Sequence, residues 1–438
     1  MTPLDIAMLS VLAVLAFVYA GMHIAVALSV TSLIGIWAIK GSLELGTNLL
    51  ALAAFDAVSG YTFGVIPLFV LMGLFVSVSD IGRDTFIAAN AFLGRIRGGL
   101  GVATVAANAA FAAVTGISIA SAAVFTRIAI PEMTRLGYRP RFAVGVVAGS
   151  SCLGMLIPPS LLMIIYGLLA EQSIGDLFIA GILPGLLLAA GFCVLVLGLA
   201  YLVPDWVQPG SPNADGPAEP AVSAVEALAM LAPLVALVFL VIGGIYAGWF
   251  TPTESGAVGA LGAMLLALAR RKLDWAQLWR VLVETGHITV SILILIIAAN
   301  MYSRLIALSG LSNALETWLT GMAFGLFGLL TMYIVIVIIL GTVLDAISTM
   351  LITLPMFLPL LAAYDVNLIY FGIVTVLAVE IGLLTPPLGL SVFVIKSTLE
   401  DQSITLGDIF IGAAPFAAVL GLVLLVVLLN PEIALALL

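Results

Sequence analysis

Leu153-Gly154-Met155-Leu156-Ile157-Pro158-Pro159 returns as Ile381-Gly382-Leu383-Leu384-Thr385-Pro386-Pro387, and the offset that carries Leu153 onto Ile381 decides the fold. Other landmarks keep that register. Pro131 precedes Pro158 by the same interval at which Pro359 precedes Pro386. Gln172-Ser173-Ile174 recurs as Gln402-Ser403-Ile404 and Pro184 as Pro415, at slightly longer offsets. The small and polar stretch Thr115–Ser121 maps onto Val343–Thr349. Landmarks in the same order at nearly constant spacing mark an internal duplication.

The heptads also carry physical meaning. Pro-Pro removes two backbone donors and clashes with the preceding turn, while the neighbouring glycines permit non-helical dihedrals. Each should therefore break an apolar helix. In hydrocarbon a freed carbonyl without a partner costs several kcal/mol, so such breaks belong against protein or a polar cavity. Freed carbonyls with Thr and Ser hydroxyls suit a hard cation such as Na⁺, and half-helix N-termini suit an anion.

Working outward, 63% of the 438 residues are hydrophobic and 8% charged. Soluble domains run near ~45–50% and ~25%, so the chain reads as an all-α polytopic membrane protein. The 43 Gly and 20 Pro are too few for a fibrous or low-complexity chain. Short alternating segments of a β-barrel are missing. Cys152 and Cys193 lie in apolar runs, and His23 and His287 are the only histidines, so no thiolate cluster, disulfide framework, haem or resident cofactor is expected. A net charge of −9 argues against nucleic acid.

A spanning helix needs roughly 20 mostly apolar residues. Such runs lie near 5–39, 62–80, 142–170, 176–203, 222–248, 253–269, 285–309, 367–397 and 408–430, with 46–60 shorter and carrying Asp56. The first run lacks a basic n-region and is too long for a signal peptide, so it reads as a retained anchor. Segments 100–130 and 325–361 are interrupted near their middles and read as re-entrant hairpins. Eleven of the 14 cations fall within Arg83–Arg97, Arg127–Arg141 and Arg270–Arg280, which the positive-inside rule places in the cytoplasm. Counting crossings then sets both termini outside, with Lys40 and Lys396 inside. The hairpins enter from opposite faces, so the duplication is an inverted repeat, as in secondary transporters.

The halves run 1–203 and 222–438 around a linker, 204–221. The first contains the scaffold 1–60, the hairpin 100–130 and the broken helix 142–170. The second contains the scaffold 222–270, the hairpin 325–361 and the broken helix 367–397.

Asp345 sits at the second hairpin's interruption. A carboxylate at membrane depth is costly and by default functional, while the rival reading is a cap on the hairpin's second arm. Glu380 could support an ion or a proton, or pair with a polar neighbour. Thr251-Pro252-Thr253-Glu254 reads first as a capping box. Asn108 and Asn300 read as interhelical hydrogen-bond partners.

These residues, in order, resemble a known family. The ordered set is Ile66-Pro67-Leu68-Phe69, Arg97-Gly98-Gly99-Leu100, Gly116-Ile117-Ser118-Ile119-Ala120, Ile130-Pro131-Glu132-Met133, Leu156-Ile157-Pro158-Pro159-Ser160, Ala180-Gly181-Ile182-Leu183-Pro184-Gly185, Thr251-Pro252-Thr253-Glu254, Leu344-Asp345 and Thr385-Pro386-Pro387-Leu388-Gly389. It is similar to the large membrane subunit of tripartite ATP-independent periplasmic (TRAP) transporters, over nearly the whole chain. The resemblance implies a Na⁺-driven importer of small carboxylates with an elevator motion, in a bacterial inner membrane. It also implies two protein partners, a periplasmic substrate-binding protein and a separate small four-helix membrane subunit. One departure is Ile117, where the family's first hairpin tip is usually polar.

With the breaks and the resemblance together, the expected sodium ligands are Gly116, Ser118, Gly154, Ile157, Pro158, Gly341, Asp345, Gly382 and Thr385. Expected substrate contacts are Thr115, Ser118, Ser160, Pro252, Thr253, Asp345, Ser348 and Pro387. The resemblance adds the substrate-facing role of Pro252 and Thr253. A stand-alone sodium/dicarboxylate symporter of the same plan is the alternative. An intramembrane enzyme would need a His/Asp or Ser/Lys constellation, and a primary pump a Gly-rich phosphate loop with Lys; the sequence has neither.

Overall fold

A computed structural model describes residues 1–208, 222–311, 313–315, 317, 325–362 and 364–438. Every regular element among them is helical. Among the described residues six helices are long and apolar enough to cross a membrane, and a bent pair, Pro140–Leu156 with Leu161–Leu169 at 41°, makes a seventh if it is one span. The outer surface is apolar: Leu12, Val194, Val235 and Leu422 are exposed, as suits a bilayer and not water.

The two broken helices form the centre. From Phe142 to Leu156 every residue is buried, and so is nearly all of Tyr370–Leu384. A helix apolar on all sides must be enclosed by others, and the hairpins and terminal helices do this. The first hairpin is Gly99–Thr115 and Ser118–Arg135; the second is Leu326–Gly341 and Ala346–Ala362. Each hairpin's second arm packs on the other half's broken helix: Ser118–Arg135 on Leu390–Thr398, and Ala346–Ala362 on Leu161–Leu169. The last long helix, Leu406–Leu429, lies against Pro140–Ser151 so closely that a Cβ on Gly412 would stand 3.2 Å from the Cα of Gly145. The halves are interlocked rather than merely adjacent.

Several sequence boundaries shift. The run 5–39 is two helices, Pro3–Tyr19 and Ile24–Lys40, rather than one continuous apolar helix. Gly21 takes φ +89° and the Met22 amide donates to the Phe17 carbonyl at 2.9 Å, closing the first helix. A break of Gly-Met-His inside an apolar run leaves no trace in hydropathy. The run 285–309 begins earlier, at Trp275, where Asp274 and Gln277 form a capping box. An additional amphipathic helix, Ile81–Leu93, follows Val65–Val78; its Asp84 pairs with Arg270. Most of the linker, 209–221, lies outside the described residues. The structure also forms the capping box of Thr251 and Glu254, with Pro252 at the first helical position.

Candidate functional site

Both Pro-Pro breaks meet the hairpin of their own half in the same way. In the first, the helix stops at Leu156, Pro158-Pro159 is cis, and Leu161–Leu169 resumes. The Leu161 amide donates to the Gly116 carbonyl at the hairpin tip, 3.1 Å. Gly116 has φ +64° and packs on the Pro159 carbonyl, a conformation and a space that suit only glycine. A Cβ on Gly154 would lie 3.0 Å from the Ser118 amide nitrogen.

In the second break, Pro386-Pro387 is cis, and the amides of Leu388 and Gly389 donate to the Thr342 carbonyl at 3.2 and 3.1 Å. The backbones of Gly341 and Gly382 touch: a Cβ on Gly341 would stand 3.2 Å from the Gly382 Cα.

The two junctions differ in exposure. Pro158, Pro159 and Ser160 are buried, whereas Pro386, Pro387 and Leu388 are exposed and Thr385 is half-buried. The structure therefore has one closed junction and one open.

Most hydroxyls expected to serve ligands are occupied within the protein. Thr115 donates to the Phe111 carbonyl at 3.0 Å, Ser160 to the Met155 carbonyl at 2.5 Å, and Thr385 to the Ile381 carbonyl at 2.6 Å. The Asp345 Oδ2 accepts from the amides of Ile347 and Ser348 at 3.0 and 3.1 Å, which is the geometry of a helix cap. The carboxylate is only half-buried, which lowers its cost at the tip. Pro252 and Thr253 begin the helix Pro252–Ala269 beside Gly64, and among the described residues no hydrogen bond links them to either tip.

Gly116, Ser118, Gly154, Pro158 and Ser160 thus come together at the first junction, and Gly341, Gly382 and Thr385 at the second. Ile157 borders the first junction, and Asp345 and Ser348 open the second arm beside the second.

The structure also gives Glu380 and Asn108 their partners. Ser118 donates to Glu380 Oε1 at 2.5 Å, tying the first hairpin tip to the second broken helix. Glu380 is 1% exposed, its Oε2 has no hydrogen-bond partner among the described residues, and the Cys152 thiol lies alongside it. Asn108 bonds Ser121 and Ser150, holding both hairpin arms to Pro140–Ser151. Thr349 Oγ1 and Ser391 Oγ are buried without partners among the described residues. A hidden signal existed: the offset that carries Leu153 onto Ile381 also carries Cys152 onto Glu380, so the two occupy one position of the repeat. Equivalent positions that touch lie on the axis relating the halves. No group of three His, Cys, Asp or Glu able to hold a metal occurs among the described residues.

Comparison with known proteins gives one consistent result. Residues 11–433 match the family model described as the tripartite ATP-independent periplasmic transporter, DctM component. The C4-dicarboxylate TRAP transporter large permease protein DctM of Pseudomonas aeruginosa is 33% identical, over 89% of this chain and 88% of that one. The ectoine TRAP transporter large permease protein TeaC of Halomonas elongata is 31% identical, over 95% of each. Among solved structures, the YdaH transporter of Alcanivorax borkumensis aligns with a TM-score of 0.59 at 14% identity, over 87% of this chain and 88% of that one. That last likeness concerns the fold alone.

Proposed function

The chain belongs to the DctM-component family, the large membrane subunits of TRAP transporters, whose members are permeases and not enzymes, and we propose that it imports a small carboxylate solute by coupling to sodium. The observation that carries this reading is the pair of hairpin–break junctions, one closed and one open. Two breaks of the same construction on opposite halves are what alternating access needs: one site reached in turn from two sides. Two Na⁺ sites then follow the duplication. One is formed by Gly116, Ser118, Gly154, Ile157 and Pro158, the other by Gly341, Asp345, Gly382 and Thr385. Since Thr115, Ser160 and Thr385 spend their hydroxyl protons inside the protein, backbone carbonyls and the remaining lone pairs are the cation's natural ligands.

The substrate is a carboxylate because half-helix N-termini at Leu161 and Leu390 offer partial positive charge to an anion. Thr115, Ser118, Ser160, Asp345, Ser348 and Pro387 line its path, with Pro252 and Thr253 on the scaffold side. In an inner membrane the subunit works with a periplasmic binding protein that delivers the solute and with a small membrane subunit that braces it. The hairpins and broken helices move as one elevator body against the scaffold 1–60 and 222–270. Two sodium ions with a monoanion make import electrogenic, worth roughly 2.3 kcal/mol per charge at about 100 mV.

The test is reconstitution with the cognate binding protein and small subunit, scanning candidate acids with and without a sodium gradient. Uptake should require both partners and sodium. Transport by this chain alone would favour a stand-alone sodium/dicarboxylate symporter, and equal uptake under a proton gradient without sodium would end the sodium reading.

A further inference from the structure

Glu380 is a buried carboxylate that no cation neutralises among the described residues. It is 1% exposed, and no Lys, Arg or His bonds it among the described residues. The cations and buried tyrosines on the helices around it are engaged elsewhere. Arg141 pairs with Asp408, Lys396 bonds the Ile404 carbonyl, Tyr166 bonds the Leu368 carbonyl and Tyr333 bonds Thr375. Apart from Ser118, its neighbour among the described residues is the Cys152 thiol, a weak donor whose Sγ also lies 3.7 Å from the Ala148 carbonyl.

Its two oxygens are unequal. Oε1 accepts from Ser118, the first residue of the hairpin's second arm. Oε2 has no hydrogen-bond partner among the described residues. A proton on Oε2 would leave a buried donor unsatisfied, whereas a small cation on that oxygen would satisfy the acceptor and cancel the charge. Ser118 spends its hydroxyl proton on Oε1, so a lone pair of its Oγ remains for the same cation.

We propose that Glu380 Oε2 is the charged ligand of a monovalent cation held where the first hairpin tip meets the second broken helix. This rests on the sodium reading above and sharpens it. The duplicated position carries Cys152 in one half and Glu380 in the other, so the two cation sites are chemically unequal. The first receives a full negative charge across the axis from the opposite half. Filling it draws Ser118 and Glu380 onto one ion, which secures the hairpin tip to the second broken helix.

Thermal unfolding of the chain with its small subunit in nanodiscs, at fixed pH, tests this. Sodium chloride is titrated against choline chloride at constant ionic strength, and sodium-dependent uptake is read in parallel. The wild type should be stabilised by sodium. Glu380→Gln keeps the volume and an acceptor for Ser118; it should be at least as stable without sodium, and need roughly tenfold more sodium, or more, for stabilisation and uptake. Sodium dependence equal to wild type in Glu380→Gln would overturn the proposal while leaving the sodium reading intact. Stabilisation of the wild type by acid alone would overturn it in favour of a proton. A wild type indifferent to sodium in both readouts would end both readings.

Discussion

Gly389 does in the second half what Leu161 does in the first: each stands one repeat apart, and each donates its amide to a carbonyl at its own hairpin's tip. The acceptors are Thr342 and Gly116. Each bond joins the residue that restarts a broken helix to the residue that ends a hairpin arm. The tip and the break are therefore tied backbone to backbone, and separating them would expose a backbone donor in the membrane.

Gly116→Ala should disrupt the first junction. An αL residue with a Cβ costs roughly 1–2 kcal/mol, and the methyl group would also strike the Pro159 carbonyl. Gly310→Ala is the control, since Gly310 has φ +70° and open space around it. The expected result is lost uptake and a lower melting point for Gly116→Ala, with Gly310→Ala losing only the conformational part. Equal melting points for the two would mean that the tip is not wedged.

Asp345→Asn should fold normally, because Asn can accept from the amides of Ile347 and Ser348 as Asp does. Stability should move by less than about 0.5 kcal/mol. Initial uptake against sodium concentration, at matched expression, should nevertheless fall, because the charge at the tip is gone. A normal rate and sodium dependence would remove Asp345 from the site and leave it as a cap.

Asn108→Leu should destabilise the first hairpin by about 1–3 kcal/mol, since the hydroxyls of Ser121 and Ser150 lose a buried partner. The triple change with Ser121→Ala and Ser150→Ala should recover part of that loss. Protease resistance in detergent would show both effects. No recovery in the triple variant would point to packing rather than hydrogen bonding.

Ala113 of the first hairpin and Phe239 of helix Ala224–Val238 and its π-helical extension line one apolar crevice of about 540 Å³. If the hairpin slides past the scaffold, this crevice must change shape in every cycle. Cysteines at both positions, joined by a short thiol cross-linker, should abolish uptake while leaving assembly with the small subunit intact. Undiminished transport in the cross-linked protein would rule out an elevator motion.

What the sequence determined by itself is the part set by composition and by local breaks. Apolar runs require a membrane, Pro-Pro beside Gly cannot stay helical, and one constant offset carries the first half's construction onto the second. Each follows from the chain's own backbone chemistry and needs no distant partner. The division of 5–39 into two helices escaped because its Gly21 turn sits among apolar side chains and hydropathy averages over it. The pairings within the buried network were illegible for another reason, though Asn108 and Glu380 were legible as members. Ser118 and Glu380 are 262 residues apart, and Asn108 and Ser150 are 42 apart. A hydroxyl in an apolar run reads alike whether it bonds its own helix, as Thr115 does, or reaches a carboxylate in the opposite half. That choice depends on which helix faces lie together, and only the packing of the two halves around their axis decides it.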